Sequence, residues 1–250
     1  MEQYGRFARI YDLFMSDVDY DGWAEYLAGF IRPGLSVIEC GCGTGQLTLR
    51  LKKKGCDIVG TDISTEMLAV AAEKARRAGL KINFVCMDMA KLEWHKRVDC
   101  IVAPCDCVNY LTAEGDAEAF FRAAYNFLKP GGILLFDVSS RYKLKEILGF
   151  NTFADSRPDA AYIWQNYFDE KSNLSEMNLE FFVFSGIEKN GKPLFERFCE
   201  KHIQCAYTEN ELKDLLEKTG FSEIKCFGAF TRAEPKPDSE RLQFFARKPA

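Results

Sequence analysis

The stretch VIECGCGTGQL, residues 37 to 47, decides how this chain is read. An apolar run broken only by Glu39 reads as a buried strand; it leads into Gly41, Gly43 and Gly45, and an amphipathic segment follows. Glycines at such positions let the backbone turn tightly and approach a ligand with no Cβ in the way, and the helix that follows presents unpaired N–H groups. A dinucleotide fold spaces its glycines G-x-G-x-x-G. Here the third glycine arrives one residue early and Gln46 stands in its place. The spacing favours a nucleoside that carries no pyrophosphate.

Outward from the loop, short β-rich apolar runs alternate with amphipathic ones, the pattern of βαβ units feeding a parallel sheet. Strands are expected at Ser36 to Cys40, Asp57 to Thr61, Ile82 to Cys86, Val98 to Ala103 and Gly132 to Val138. Helices are expected at Gln46 to Lys54, Ser64 to Ala78 and Ala113 to Leu128; Met67, Leu68, Ala71, Ala72 and Ala75 form the apolar stripe of the second. LKPGG, Leu128 to Gly132, stops the third, because proline cannot continue a helix and glycine accepts the turn. From Tyr142 to Tyr207 the pattern changes to aromatic, alternating segments, read as antiparallel strands of an inserted lid. Thr208 to Thr219 then reads as a helix capped by Thr208 and Glu211, and Phe221 to Phe230 with Arg241 to Lys248 as a closing antiparallel pair. The expected organisation is an α/β core, residues 1–141 and 206–250, with an insertion at 142–205.

The bulk properties narrow the function. A chain of 250 residues with 47% hydrophobic content can bury one sizeable core. A net charge of -4, with both signs interspersed, lacks the attraction that a phosphate backbone usually demands, so no nucleic-acid partner is expected. No stretch approaches the roughly 20 apolar residues of a membrane span, and a cytoplasmic protein is expected. Of the 10 cysteines, Cys40, Cys86 and Cys100 sit in apolar runs and read as reduced core thiols. Cys40/Cys42 and Cys105/Cys107 lack the companion spacing of a zinc site, only His95 and His202 are available, and no metal is expected.

Two acidic residues complete the pattern. Asp62 ends the second strand about 20 residues past the loop, where a carboxylate accepts both hydroxyls of a ribose; the competing reading is a helix-capping aspartate just before Ser64. Asp88, in CMDMA just past the third strand, is placed to meet an exocyclic amine, or is a solvated loop carboxylate.

ECGCGTG, TDIS, the Asp-Met after strand three and LKPGG, in that order, resemble the class I S-adenosylmethionine-dependent methyltransferases over roughly residues 35 to 140. The resemblance implies a Rossmann-like, doubly wound, seven-stranded, mostly parallel sheet with an antiparallel last strand, and S-adenosylmethionine as cofactor, leaving S-adenosylhomocysteine as product. It implies Gly41, Cys42, Gly43 and Gly45 against the methionine and ribose portions, Asp62 on the ribose with Ile63 and Met67 in the same set, and Asp88 with Met89 around the adenine. By the same resemblance Glu39 meets the methionine ammonium or ties the loop together. YGRFARIYDLFM, DYDGWAEYL and APCDCVNYL are further similar to bacterial small-molecule methyltransferases with a β-sheet insertion after the fifth strand. That likeness implies Tyr11, Tyr20 and Trp23 closing over the cofactor and Cys105, Asp106, Asn109 and Tyr110 lining the methyl-transfer side. An ordinary amphipathic helix packed on the core is the competing account of the N-terminal aromatics.

A sulfonium is an activated methyl donor, so alignment and exclusion of water matter more than any one catalytic group. For a protic acceptor, Asp106, His202, Glu200 and Tyr142 are the candidate bases. Pro104-Cys105 matches the nucleophile site of cytosine-5 methyltransferases, but the charge balance and the lack of a nucleic-acid module oppose that role. The expected activity is methylation of an oxygen or nitrogen of a small molecule by a monomer or homodimer. The alternatives are an RNA or protein methyltransferase, a non-catalytic nucleoside-binding module and, third, a dinucleotide-dependent oxidoreductase.

Overall fold

The computed structural model describes residues 6–250; Tyr4 and Gly5, with which one quoted motif begins, lie outside them. A 3₁₀ turn (Arg6–Arg9), α1 (Tyr11–Phe14) and α2 (Tyr20–Ala28) precede β1 (Ser36–Cys40), α3 (Gln46–Lys53), β2 (Asp57–Asp62), α4 (Thr65–Arg77), β3 (Asn83–Cys86), β4 (Val98–Ala103), α5 (Asp116–Phe127) and β5 (Leu128–Ser139). A π-helical turn (Lys143–Leu148) leads into β6 (Thr152–Arg157), β7 (Ala160–Asp169), β8 (Leu174–Lys189) and β9 (Lys192–Cys205). The chain closes with α6 (Glu209–Thr219), β10 (Ser222–Gly228) and β11 (Arg241–Arg247).

The main sheet has seven strands in the order β10-β11-β5-β4-β1-β2-β3, and β11 runs antiparallel to both neighbours. The parallel strands are those expected from the βαβ alternation, and the whole is the Rossmann-like sheet that the family resemblance implied. Its central strands are predominantly apolar because both faces are covered, with Glu39, Asp99 and Asp137 the acidic interruptions of β1, β4 and β5. Val37, Cys100, Val102 and Ile133 pack toward α2 and α3, whereas Ile38, Ile101, Ala103 and Leu134 pack with Phe120, Phe121, Leu212 and Leu216 of α5 and α6. Chain order reverses between β1 and β4, so the loops after those strands diverge and leave a crevice at the carboxyl end of the sheet.

The insertion is a separate four-stranded antiparallel meander, β6-β7-β8-β9. Two local differences from expectation have simple causes. The third predicted helix starts at Asp116 rather than Ala113, since Gly115 in a left-handed conformation (φ 86°) cannot continue a helix backwards. The segment after Tyr142 begins with a helical turn rather than a strand, burying Leu144 and Leu148 against Phe168 and Ala206. The capping box of α6 is present as read, Thr208 and Glu211 bonding each other's backbone N–H.

Candidate active site

The loop after β1 is shaped by its three glycines, all at positive φ (66°, 52° and 77° for Gly41, Gly43 and Gly45). A Cβ on Gly43 would meet nothing within 4 Å, so this part of the loop faces open space. The loop is anchored from two sides. The Asp62 carboxylate accepts the Gly43 N–H (2.8 Å) and the Ser64 N–H (2.9 Å), while Ser64 itself caps α4 by accepting from Met67. From the N-terminus, Asp12 accepts from Thr44 Oγ1 (2.7 Å) and Gln46 Nε2 (3.0 Å) and pairs with Lys74. Gly41, Gly43, Asp62, Ile63, Met67, Asp88 and Met89 then line one cavity of about 190 Å³ with Tyr11, Cys105 and Tyr110 at its inner end. Two carboxylates, a flexible backbone and thioether walls, with Ile63 left 63% exposed at the rim, suit a ribose and a flat apolar base.

Glu39 lies beneath the loop, 1% exposed, with Oε2 lacking a hydrogen-bond partner. Burial, reinforced by the Asp62 carboxylate, pushes its pKa up to about 8. An orphaned buried carboxyl of this kind is a place for a ligand cation. Because its folded pKa exceeds the unfolded value near 4.5, Glu39's contribution to ligand-free stability is complete below that value and declines as pH rises toward about 8. Glu39→Gln should flatten this part of the curve in urea denaturation between pH 5 and pH 8. An unchanged slope would mean that Glu39 ionises freely in the fold.

Past β4 the backbone turns through two consecutive left-handed non-glycine residues, Cys105 (φ 61°) and Asp106 (φ 51°). Such strain persists only where the surroundings impose it. Asp137, buried at the end of β5, accepts both of their N–H groups (2.8 and 3.0 Å). Arg241 from β11 pairs with Asp137 and with Asp106 (2.8 Å), and its guanidinium also lies 5.0 Å from the centre of the Trp23 ring. Burial pushes the Asp106 carboxyl up, but Arg241, Lys143 and Gln204 outweigh it and hold the pKa below the usual value.

A second cavity, about 260 Å³, continues from this turn to the inserted sheet. Tyr11, Cys105 and Tyr110 belong to the walls of both cavities, so the two meet there. Its remaining wall is mostly apolar, with the aromatic rings of Phe7, Phe14, Trp23, Tyr162, Trp164 and Phe181 prominent, and its polar groups are Asp106, Ser139, Lys143, His202, Gln204 and Arg241. The sheet is seated on the N-terminal segment by ring packing, Phe7 stacking on Phe181 (4.5 Å) and Phe14 meeting Tyr162 edge-on (4.9 Å).

A profile described as a methyltransferase domain matches residues 37–132. YqeM of Bacillus subtilis (strain 168), which carries a methyltransferase designation, is 36% identical over 248 residues, covering 98% of this chain and 97% of its own length. A crystal structure of an S-adenosylmethionine-dependent methyltransferase from Clostridium acetobutylicum ATCC 824 superposes with a TM-score of 0.85 at 30% identity over 100% of both chains. The chain belongs to the S-adenosylmethionine-dependent methyltransferases. S-adenosylmethionine is the cofactor of this enzyme family, and the exposed rim of the 190 Å³ cavity, its paired carboxylates and the orphaned Glu39 oxygen fit that molecule. The sugar N-methyltransferase KedS8 from Streptoalloteichus sp. ATCC 53650 shares the fold at 18% identity, with a TM-score of 0.74 over 96% of this chain and 93% of its own.

Within this methyltransferase the residues named from sequence separate into groups. Tyr11 reaches both cavities, Trp23 lines only the second, and Tyr20 lines neither; it is buried at the start of α2, with the Arg50 guanidinium 5.6 Å from its ring centre. Asn109, fully buried, donates to the carbonyls of Ser139 (3.0 Å) and Cys205 (2.8 Å) and accepts the Ser139 N–H, tying the core to the insertion rather than facing a cavity. Tyr142 stands 38% exposed outside both cavities. Burial first, then Asp137, pushes the Cys105 thiol well above its ordinary value, the opposite of what a nucleophile needs. Among the described residues no cluster of metal-ligating side chains occurs, and no helix is long and apolar enough to cross a membrane. Asp12, Asp137 and Arg241 were not singled out from sequence; the only available signal was the acid that interrupts the apolar run of β5.

Proposed function

We propose that this methyltransferase transfers the methyl group of S-adenosylmethionine to an oxygen or nitrogen of a small molecule held in the second cavity. The observation that carries the reading is the junction of the two cavities at Tyr11, Cys105 and Tyr110. When bound, S-adenosylmethionine supplies an activated methyl on a good leaving group, and the chain's task is geometry. The glycine loop presents backbone N–H groups, Asp62 accepts from the ribose, Asp88 and Met89 border the adenine, and Glu39 lies where a methionine ammonium is held. On the acceptor side the aromatic wall excludes water, and the Cys105–Asp106 turn, fixed by Asp137 and Arg241, sets how near the acceptor comes to the methyl carbon.

The insertion, residues 142–205, acts as the lid of the acceptor cavity, to which it contributes Lys143, Tyr162, Trp164, Phe181, His202 and Gln204. A cavity of 260 Å³ with an aromatic wall suits a ring-sized acceptor better than a polymer.

Calorimetric titration with S-adenosylmethionine, S-adenosylhomocysteine and NAD, side by side, tests the cofactor assignment. Binding of the first two alone is expected. Asp62→Ala should weaken S-adenosylmethionine binding about 10-fold or more, through loss of charge-assisted hydrogen bonds to the ribose and of the tie to Gly43. Equal affinity in a folded variant would remove Asp62 from the site.

A further inference from the structure

We propose that Tyr110, His202 and Glu200 form a proton relay that removes the acceptor's proton at the point of transfer. The proposal rests on the methyl-transfer reading above and extends it to a specific set of atoms. Alternate residues of a strand share a face, so Glu200 and His202 of β9 stand side by side, 6% and 3% exposed. Glu200 Oε1 accepts the Phe7 N–H (3.3 Å), while Oε2 lies 3.2 Å from His202 Nε2. A carboxylate only accepts, so the neutral imidazole carries its hydrogen on Nε2 and offers its lone pair at Nδ1. That nitrogen lies 3.3 Å from the Tyr110 hydroxyl, which stands on the wall shared by the two cavities. The order is therefore shared wall, phenol, imidazole, buried carboxylate.

The step balances without another reactant. As the acceptor's lone pair forms its bond to the methyl carbon, the carbon–sulfur bond breaks and leaves its electron pair on sulfur. The acceptor's proton passes to the Tyr110 oxygen while the Tyr110 proton passes to His202 Nδ1, and the resulting imidazolium faces the Glu200 carboxylate. Tyr110 touches the acceptor; Glu200 is a positioning residue that fixes the tautomer. The other charged and titratable groups lining this part of the site are Asp106, already engaged by Arg241 and Gln204, Arg241 itself from β11, the Cys105 thiol, Lys143 from the π-helical turn, and Tyr11 from α1. Asp106, held in its ionised form by that ion pair, is the weaker base. Two of the relay's three members come from the insertion, making the inserted sheet part of the reaction centre and not only its cover.

The test pairs a spectroscopic readout with a kinetic one. His95 and His202 are the only histidines, so ¹⁵N-histidine labelling of the full chain bound to S-adenosylhomocysteine gives two resolvable imidazoles. His202 is expected as the Nε2–H tautomer, and Glu200→Gln, which removes the acceptor that holds that hydrogen, should shift the imidazole toward the other tautomer. Methyl transfer is followed with tritiated S-adenosylmethionine and the low-molecular-mass fraction of a bacterial extract as acceptor source. Tyr110→Phe and His202→Gln should each slow transfer about 100-fold, far beyond any change in S-adenosylmethionine affinity measured alongside, and both should lack the fall in rate expected of the wild type at acid pH. Tyr110→Phe removes one oxygen and keeps the test open if His202→Gln does not fold. Wild-type rates in these variants, or an Nδ1–H tautomer, overturn the relay alone. No transfer by the wild type overturns the methyl-transfer reading and the relay with it.

Discussion

Gly41→Ala is expected to weaken S-adenosylmethionine binding more than 100-fold and to lower stability by about 2–5 kcal/mol, since two costs add at one atom. The residue holds φ +66°, where an L side chain costs roughly 1–2 kcal/mol. The new Cβ would also stand 2.7 Å from Cys107 Cβ and 3.1 Å from its Sγ, and the closer of these atoms is attached to the backbone, so no rotation of the side chain removes it. Cys107 directly follows the strained Cys105–Asp106 turn, and its Cβ is fixed to the backbone, so relief of the clash has to move either the glycine loop or that turn. Calorimetry and thermal unfolding read the two losses separately. Combining Gly41→Ala with Cys107→Gly removes the collision but not the strain, and should recover part of the affinity. Wild-type affinity in the single variant would show that the loop has slack the geometry does not reveal.

Arg241→Met should destabilise the protein by about 3–5 kcal/mol near neutral pH, the cost of leaving one buried and one partly buried carboxylate without their cation. Asp137, with a side chain 2% exposed, and Asp106, 23% exposed, converge on that one guanidinium. The pH dependence distinguishes this cause from lost packing. In the wild type Asp106 is held below its ordinary value, so its contribution is present at neutral pH and lost only as pH falls through that depressed value. Asp137 already sits above its ordinary value through burial, with Arg241 opposing the rise. Without the arginine both carboxyls rise, so the variant loses stability as pH increases. The gap from wild type, measured by urea denaturation, should therefore narrow between pH 8 and pH 5. A gap that is constant with pH, or under about 1 kcal/mol, would assign Arg241 to packing on Trp23 instead. Arg241→Lys should recover little, because a single ammonium cannot fork across two carboxylates.

Both predictions concern contacts that the sequence conceals to different degrees. The glycine loop was legible because the requirement is local: strand, glycines and helix lie within a dozen residues, and each glycine answers a backbone demand in its own neighbourhood. Asp62 was legible for the same reason, although the structure shows it serving the loop backbone as well as facing the cavity. The Asp137–Arg241 pair was not legible, since its members lie 104 residues apart and meet only when β11 inserts antiparallel beside β5. The family resemblance puts Asn109 on the transfer side with Cys105, Asp106 and Tyr110; those three do line the second cavity, but the Asn109 side chain turns away to bridge Ser139 and Cys205. Position along a loop does not say which way a side chain points.

His202 shows the same division within one strand. Its two-residue spacing from Glu200 places both on one face of any β-strand, a pairing visible in the residues alone. Its approach to Tyr110, 92 residues away, depends on how the inserted sheet settles on the core, which is governed by the packing of Phe7, Phe14, Tyr162 and Phe181. The sequence by itself determined the parallel sheet, the nucleoside loop and the presence of an aromatic insertion, because hydrophobic period and glycine placement act over a few residues. The tertiary structure alone decided where the two cavities meet, which carboxylates share a cation and that His202 comes to lie beside Tyr110. Those are outcomes of long-range packing, in which the burial of many small apolar contacts fixes the position of a few polar groups.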